Sequence, residues 1–396
     1  MIIHLILDDK FGQYTIKQFT EVNSSNNKFV IVGNETIISN IPLQWAKHII
    51  LLKENEFKTY VFSNIEKIKA IVFHGLNEEY KWNIIIELEG KVHLHWMFWG
   101  TDGYMLPHLR KKLLKPVTCK IRQKLSKTSI LIHYVHNSGS LLFNIFAWLY
   151  KLKTNNEYFL KKLENAIRLV DSISSVVPQD YEGLCRKLNI KAPLIPFSYG
   201  SVKTLIRSNN EVNDNIKQLG NNILIGNSAS IENNHLDAII EIRQFEIGSR
   251  KIVVPLNYGE SIPGYKNYII EKGNEILGTN NFSPLINFLP LKMYNELLQN
   301  CSHTIMNHNK QQAMGNIITL LYYGTKLFMN KVNPSFQYLK DEGFIVFEMK
   351  EISQKHLDTK LSKKEMQHNR DLIHKLYNDD IVQEKTEQLY QYLMKC

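Results

Sequence analysis

Cysteine is scarce. Cys119, Cys185, Cys301 and Cys396 lie far apart and form no CxxC pair, which argues against a disulfide framework or a zinc knuckle. No stretch reaches the roughly 18 apolar residues that a membrane-spanning helix needs. The opening MIIHLILDDK lacks the basic region and cleavage site of a signal peptide, so a cytoplasmic protein is expected. Neither GxxxxGK[ST] nor GxSxG occurs, which lowers the P-loop and serine-hydrolase readings. Asp-x-Asp is also missing, and with it the carboxylate pair that usually holds a divalent ion on a sugar-nucleotide diphosphate. A metal-independent mechanism and no cofactor are therefore expected. His93 and His95 share one face of a strand, and His133 and His136 are three apart. Without cysteine partners or an HExxH pattern, these histidines read as core or surface residues.

What is present describes a folded α/β protein. The 396 residues suit two domains, and 44% hydrophobic with 22% charged residues is the balance of a globular chain. The net charge of +10 favours a polyanion, an anionic membrane or a phosphorylated substrate. It clusters in LRKKLLKPVTCKIRQKLSK (109–127), where Arg110, Lys111, Lys112, Lys115, Lys120, Arg122, Lys124 and Lys127 occur without one acid. A solvated helix face is the plain alternative for such a run. SGSLLFNIFAWLYKLK (138–153) follows, too short to span a bilayer but with Trp148 and Tyr150 beside lysines, a composition suited to the membrane interface. A buried helix with a basic neighbour is the alternative there.

Short apolar runs that end in polar residues mark parallel strands: MIIHLILDD, KFVIVGN (28–34), AIVFHG (70–75), KVHLHWMFWG (91–100), SISSVVP (172–178) and PLIPF (193–197). Helix-length segments such as 160–169 separate them, and this alternation predicts a parallel sheet covered on both faces. The polar stretch 207–222 reads as a linker. The pattern then restarts with NILIGNSAS, KIVVPLNYG, NFLPLKMYNELL, HTIMNH, TKLFMN and FIVFEM. A polar, helical end carries Leu372, Ile373, Leu376, Tyr377, Leu389 and Leu393 on one stripe. The expected domains are 1–205 and 206–365, each Rossmann-like, with a terminal helix over 366–396 that can pack back on the first.

In open parallel sheets, ligands bind at the carboxyl ends of strands. At one such end, Gly226-Asn227-Ser228 leads into an amphipathic helix, where free backbone N–H groups favour a diphosphate. Capping alone also explains such a turn. At another, Gln311 and Gln312 can bond sugar hydroxyls, while Gly315 and Asn316 open a helix whose start can meet phosphate. In HWMFWGTDGY (95–104), Asp102 between Trp99 and Tyr104 suits a partly desolvated base beside ring platforms for a sugar. An Asp-Gly turn with its aromatics in the core fits equally well.

WGTDGY (99–104) with its basic continuation, LIGNSASIENNHLDAI (224–239), KIVVPLNYG (251–259) and QQAMGNIITLLYYGTKLFMNKVNPSF (311–336) resemble the TDP-N-acetylfucosamine:lipid II N-acetylfucosaminyltransferases, glycosyltransferase family 56. The resemblance implies a GT-B fold, two Rossmann-like domains facing across a cleft. It also implies transfer of a deoxyaminosugar such as N-acetylfucosamine from a dTDP-sugar to a polyprenyl-diphosphate-linked glycan. It places the donor on Gly226, Asn227, Ser228, Pro255, Tyr258, Gln311, Gln312, Gly315 and Asn316, and the acceptor near Trp99 and Tyr104, with Asp102 as base. The implied partners are the nucleotide-sugar, the lipid-linked glycan and an anionic membrane surface met by Lys111, Lys112, Lys115, Lys124 and Trp148. The implied location is peripheral, on the inner face of the cell membrane, with no nucleic acid partner. Gln312 stands where a larger GT-B group has a glutamate, and no acid lies between Gln311 and Lys340, which disfavours that group's retaining mechanism. The alternative is a non-catalytic nucleotide-, sugar- or nucleic-acid-binding protein, for which no nucleic-acid-binding module is present.

Overall fold

The computed structural model describes residues 1–33, 41–110, 112–126, 140–206 and 219–396. Among the described residues, twelve strands form two six-stranded sheets. The first contains β1 (Ile2–Leu5), β2 (Asn27–Val32), β3 (Ile49–Leu52), β4 (Ala70–His74), β5 (His93–Phe98) and β6 (Ser172–Ser175), in the order β3-β2-β1-β4-β5-β6. The second contains β7 (Asn222–Ile225), β8 (Ile252–Pro255), β9 (Phe282–Leu285), β10 (Cys301–Met306), β11 (Lys326–Met329) and β12 (Phe347–Glu348), in the order β12-β11-β10-β7-β8-β9. Read from the other edge, the second order repeats the first, and every pairing is parallel. Helices cover both faces of such a sheet, so its central strands are buried throughout rather than alternating. IIHL in β1 and CSHTIM in β10 are buried at every position.

Through their described residues, Met1–Lys111, Val135–Ser201 and Asp379–Cys396 make one compact unit, and Lys112–Tyr134 and Val202–Asn378 make the other. The expected domain 1–205 therefore loses the segment around 112–126. There, a helix Pro116–Leu125 buries Thr118 and Ile121 in the second unit. Asp237 accepts from the amides of Val117 and Thr118 at 3.1 and 3.0 Å and from the Thr118 hydroxyl at 2.6 Å. The expected terminal helix is two helices, Lys363–Tyr377 and Asp379–Lys395. The first lies in the second unit, where Arg370 Nε donates to the Tyr322 carbonyl at 3.2 Å. The second packs on the helix Lys10–Asn23 in the first unit, where Gln18 donates to Thr386 at 2.9 Å.

Two strand expectations are revised, and one strand is added. PLIPF makes only an isolated bridge from Leu194 to Ile173, because Pro193 and Pro196 have no N–H for a ladder. NFLPLKMYNELL yields the helix Leu291–Gln299, with Pro290 at its start, and the neighbouring strand is β9 instead. β3 was not anticipated. Most of the expected linker, 207–218, lies outside the described residues.

Candidate functional site

Parallel pairing brings the loops after β7, β8, β10 and β11 to one edge of the second sheet. Gly226 follows β7 with φ +71, and a Cβ there would lie 2.8 Å from both Asn233 Oδ1 and His235 Nε2, so only glycine fits. The turn does not lead directly into the expected helix, because a 3₁₀ turn, Ile231–Asn233, intervenes before His235–Ile242. The Asn227 amide is accordingly used by Asn233 Oδ1, at 3.1 Å. The Asn227 side chain links two other loops, donating to the Tyr258 hydroxyl at 3.2 Å and accepting from Gln312 Nε2 at 2.8 Å. Ser228 is buried, Pro255 ends β8, and Tyr258 is 51% exposed on the loop that follows.

The loop after β10 turns through Ala313, at φ +61, into the helix Met314–Tyr323. Gly315 lies in the first turn with ordinary helical geometry, and a Cβ there would meet only Leu205 Cδ1's partner methyl, Cδ2, at 3.4 Å. Neither conformation nor packing requires glycine here, although glycine costs a helix about 1 kcal/mol relative to alanine. Asn316 donates to the Tyr294 hydroxyl at 3.1 Å. Five buried polar atoms on the loops after β8 and β10 have no hydrogen-bond partner among the described residues: Asn257 Oδ1, His308 Nε2, Asn309 Oδ1, Gln311 Oε1 and Gln312 Oε1. Burying such atoms unpaired costs about 1–3 kcal/mol each. His308 Nδ1 faces two groups that make opposite demands on it, Asn333 Nδ2 at 2.7 Å and the Lys310 carbonyl at 3.1 Å. Burial holds His308 neutral, with its pKa lowered to about 4, and Nε2 is the ring atom left open among the described residues.

The basic segment reaches the same edge. Lys115 Nζ donates to Asn307 Oδ1 at 2.6 Å, and desolvation lowers its pKa. Lys115 is thus not a free membrane contact. Lys112 and Lys124 are exposed, the latter 5.2 Å above the Tyr268 ring, and Lys111 lies outside the described residues.

In the first unit, Asp102 is completely buried. Its Oδ2 accepts from Trp96 Nε1 at 2.7 Å and from the Leu76 amide at 3.0 Å, tying the loop after β4 to β5. Desolvation raises its pKa, against those two bonds and the amides of Gly103 and Asp102. A base must reach the proton it takes, so the expected base is corrected to a buried clamp. Gly103 belongs to that packing, since a Cβ would lie 2.7 Å from the Phe98 ring. Tyr104 is also buried, its hydroxyl 2.5 Å from Asp180 Oδ1, so it offers no acceptor contact. Trp99 stays partly exposed.

Asp9 in LILDDK, at the carboxyl end of β1, is a candidate that no motif marks. Asp9 is half-buried and caps the helix Lys10–Asn23 by accepting from the Gly12 amide at 2.8 Å, and desolvation raises its pKa. Two acids directly after an apolar strand were the available signal. His93 and His95 both bond the Ser172 hydroxyl at 2.7 Å, and His95 also bonds Ser174 at 3.0 Å.

On a helix of its own, Ser140–Thr154, the first unit exposes Leu141, Leu142, Ile145, Trp148, Leu149, Tyr150 and Leu152, while Phe143 and Ala147 face inward. Among the described residues, no helix is long and apolar enough to cross a membrane.

The fold recurs in solved structures of low sequence identity. Anabaena HepE in complex with UDP aligns with a TM-score of 0.63 at 10% identity, covering 100% of this chain and 99% of that one. A glycosyltransferase from Rickettsia africae ESF-5 aligns at 0.61 and 9% identity, covering 100% and 98%. Sucrose-phosphate synthase from Thermosynechococcus elongatus aligns at 0.61 and 10%, covering 100% and 99%. The fold is GT-B, with two Rossmann-like units. The sequence profile of the 4-alpha-L-fucosyltransferases, glycosyl transferase group 56, matches residues 194–392, which is half of the chain and includes the whole second sheet. The chain is therefore a glycosyltransferase and belongs to glycosyl transferase group 56.

Proposed function

We propose that the enzyme transfers a deoxyamino sugar of the N-acetylfucosamine kind from a dTDP-sugar to a polyprenyl-diphosphate-linked glycan at the inner face of the cell membrane. The observation that carries the donor side is the carboxyl edge of the second sheet, where unpaired buried polar atoms surround a helix whose first turn holds a glycine that the protein itself does not need. A ligand that brings its own hydrogen bonds, and whose phosphate approaches the backbone closely, accounts for both. UDP bound to Anabaena HepE, of the same fold, supports a nucleotide there.

Transfer requires the acceptor hydroxyl oxygen to bond the anomeric carbon while the bond to the nucleotide diphosphate breaks. Negative charge then grows on the departing diphosphate, and the N–H groups at the start of Met314–Tyr323 are oriented to receive it. The absence of Asp-x-Asp supports this arrangement over a bound cation. The hydroxyl proton needs a base, and Asp9 replaces Asp102 in that role because it is accessible and desolvation raises its basicity. The exposed face of Ser140–Thr154 supports the membrane location. Leu141, Ile145, Trp148, Leu149 and Leu152 follow helical spacing, with Lys151 and Lys153 at the end.

The deciding experiment incubates the protein with radiolabelled dTDP- and UDP-sugars and bacterial membranes, then extracts lipid. Label from a dTDP-deoxyaminosugar is expected in the lipid fraction. Incorporation only from a UDP-sugar, or only into protein, would replace this reading. Asp9→Asn keeps the helix cap, since asparagine caps as well as aspartate, so this variant should bind donor and fold normally while turning over slowly. A fully active Asp9→Asn enzyme removes Asp9 from the chemistry.

A further inference from the structure

A chain of hydrogen bonds runs through the interior of the first unit to its carboxyl edge. His4 Nε2 lies 3.0 Å from Asn27 Oδ1, and His4 Nδ1 lies 3.2 Å from His74 Nε2. His74 Nδ1 lies 2.7 Å from the Tyr199 hydroxyl, which lies 2.9 Å from Trp99 Nε1. Both imidazoles are buried, and desolvation lowers the pKa of His4 to about 4 and that of His74 well below the usual histidine value. Each is neutral at physiological pH, with one donor and one acceptor nitrogen.

The direction of every proton follows from one end. Asn27 Nδ2 donates to the carbonyls of Phe19 and Asn23, at 3.1 and 2.7 Å, so Asn27 Oδ1 is the acceptor and His4 carries its proton on Nε2. His4 Nδ1 is then an acceptor, which places the His74 proton on Nε2. His74 Nδ1 must therefore accept from the Tyr199 hydroxyl, and the Tyr199 oxygen accepts from Trp99 Nε1. An indole N–H can only donate, so the far end agrees. A single allowed proton arrangement links Asn27 to Trp99.

What this relay holds still is a set of rings. Trp99 leaves β5, Phe11 begins the helix after β1, and Tyr199 follows the segment bridged to β6. Their centroids are 5.2, 5.3 and 6.0 Å apart, with Trp99 tilted 40° to Phe11 and Tyr199 edge-to-face with both, and the three residues are only partly buried where most large apolar side chains of the unit are fully so. Polar groups border them, with Lys10 Nζ 5.1 Å from the Phe11 centroid and Asp9 next in the chain. Rigid aromatic faces edged by a carboxylate and an ammonium match a pyranose ring, which has an apolar C–H face and hydroxyls around its rim.

We propose that Phe11, Trp99 and Tyr199 form the stacking surface for a sugar ring of the acceptor glycan, and that Tyr199, fixed by the histidine relay, is the positioning residue that orients Trp99. This rests on the reading that the first unit receives a glycan acceptor. The surface is formed before ligand arrives, so binding does not have to order the tryptophan. Tyr199→Phe keeps the ring but removes both the donor to His74 and the acceptor for Trp99.

The test records saturation-transfer NMR with the methyl glycosides of glucose, galactose and N-acetylglucosamine on wild type, Trp99→Leu and Tyr199→Phe, alongside thermal shift with dTDP. Wild type should saturate the ring protons of one face of at least one glycoside, and Trp99→Leu should abolish this. Tyr199→Phe should weaken sugar binding roughly fivefold, the equivalent of one hydrogen bond of about 1 kcal/mol. It should also move the Trp99 indole N–H resonance, a change that simple loss of packing elsewhere would not single out. No saturation of any glycoside by wild type, or undiminished saturation in Trp99→Leu, overturns the stacking surface. Unchanged sugar binding and an unmoved indole resonance in Tyr199→Phe overturn the positioning role. Intact sugar stacking without a dTDP shift would instead strike the donor reading and leave this surface standing.

Discussion

The two units share one strand order but finish their carboxyl edges differently. In the first, the polar groups at the edge mostly bond one another: Asp102 Oδ2 clamps Trp96 and Leu76, although its Oδ1 has no partner among the described residues, and a histidine chain runs into Tyr199 and Trp99. In the second, Gln311, Gln312, Asn257 and His308 each leave a buried polar atom without a partner among the described residues. Self-satisfied polar networks rigidify a surface, whereas unpaired ones await a ligand. The difference teaches that the same fold can prepare one edge by shape and the other by unused hydrogen-bonding capacity, which suits a sugar face on one and a nucleotide on the other.

The largest expected effect tests what the units have in common. His4, His303 and His308 titrate at about 4 in the folded protein, and His95 and His235 at about 3, because burial disfavours the imidazolium, against 6.5 when exposed. Between those values the unfolded chain binds more protons than the folded one, so stability rises with pH. The advantage is complete above pH 6.5 and is lost as pH falls toward 4, by up to about 3 kcal/mol for each imidazole titrating at about 4. Urea unfolding at pH 7.5, 6 and 5 should show a steep fall in both units together. If one unit keeps its midpoint at pH 5, the symmetry is broken.

Next in size is the clamp. Asp102→Ala strands Trp96 Nε1 and the Leu76 amide in the interior and should cost about 2–4 kcal/mol in urea unfolding, while dTDP affinity of the remaining folded protein is unchanged. A stable but inactive Asp102→Ala protein would restore Asp102 to the chemistry.

Gly315→Val, in the second unit, should do the reverse. Its Cβ has room beside Leu205, so stability should change by less than about 1 kcal/mol. A side chain in the first helical turn should nevertheless lower dTDP affinity by about tenfold or more if phosphate approaches the backbone there. Unaltered affinity measured by calorimetry would make Gly315 a turn residue only.

The smallest effect concerns the exposed helix. Replacing Leu141, Ile145 and Leu149 with serine removes no core packing, so the melting temperature should hold while co-sedimentation with anionic liposomes falls. Each exposed leucine contributes on the order of 1–2 kcal/mol when an interface buries it. Retained liposome binding would leave this apolar face without its proposed partner.

Much of the fold was legible because it depends on local pattern. Apolar runs such as IIHL and AIVFH are strands buried on both faces, and the spacing of Gly315 and Gly324 brackets a helix that is present from Met314 to Tyr323. NFLPLKMYNELL was misplaced because a short apolar run with a proline can open either element. Lys115 was legible as a cation but not as a residue of the second unit, since its partner Asn307 lies 192 positions away.

By itself the sequence determined the α/β class, the doubling of the sheet, the loops that carry glycine, and the family, because strand and helix periods and glycine's freedom are properties of neighbouring residues. Only the tertiary structure decided that Asp102 is buried while Asp9 is reachable, that Lys115 turns toward Asn307, and that the protons of His4 and His74 each have one allowed place. Burial and hydrogen-bond pairing depend on residues brought together from distant parts of the chain, and the energy of a polar group is set by whichever of them it meets.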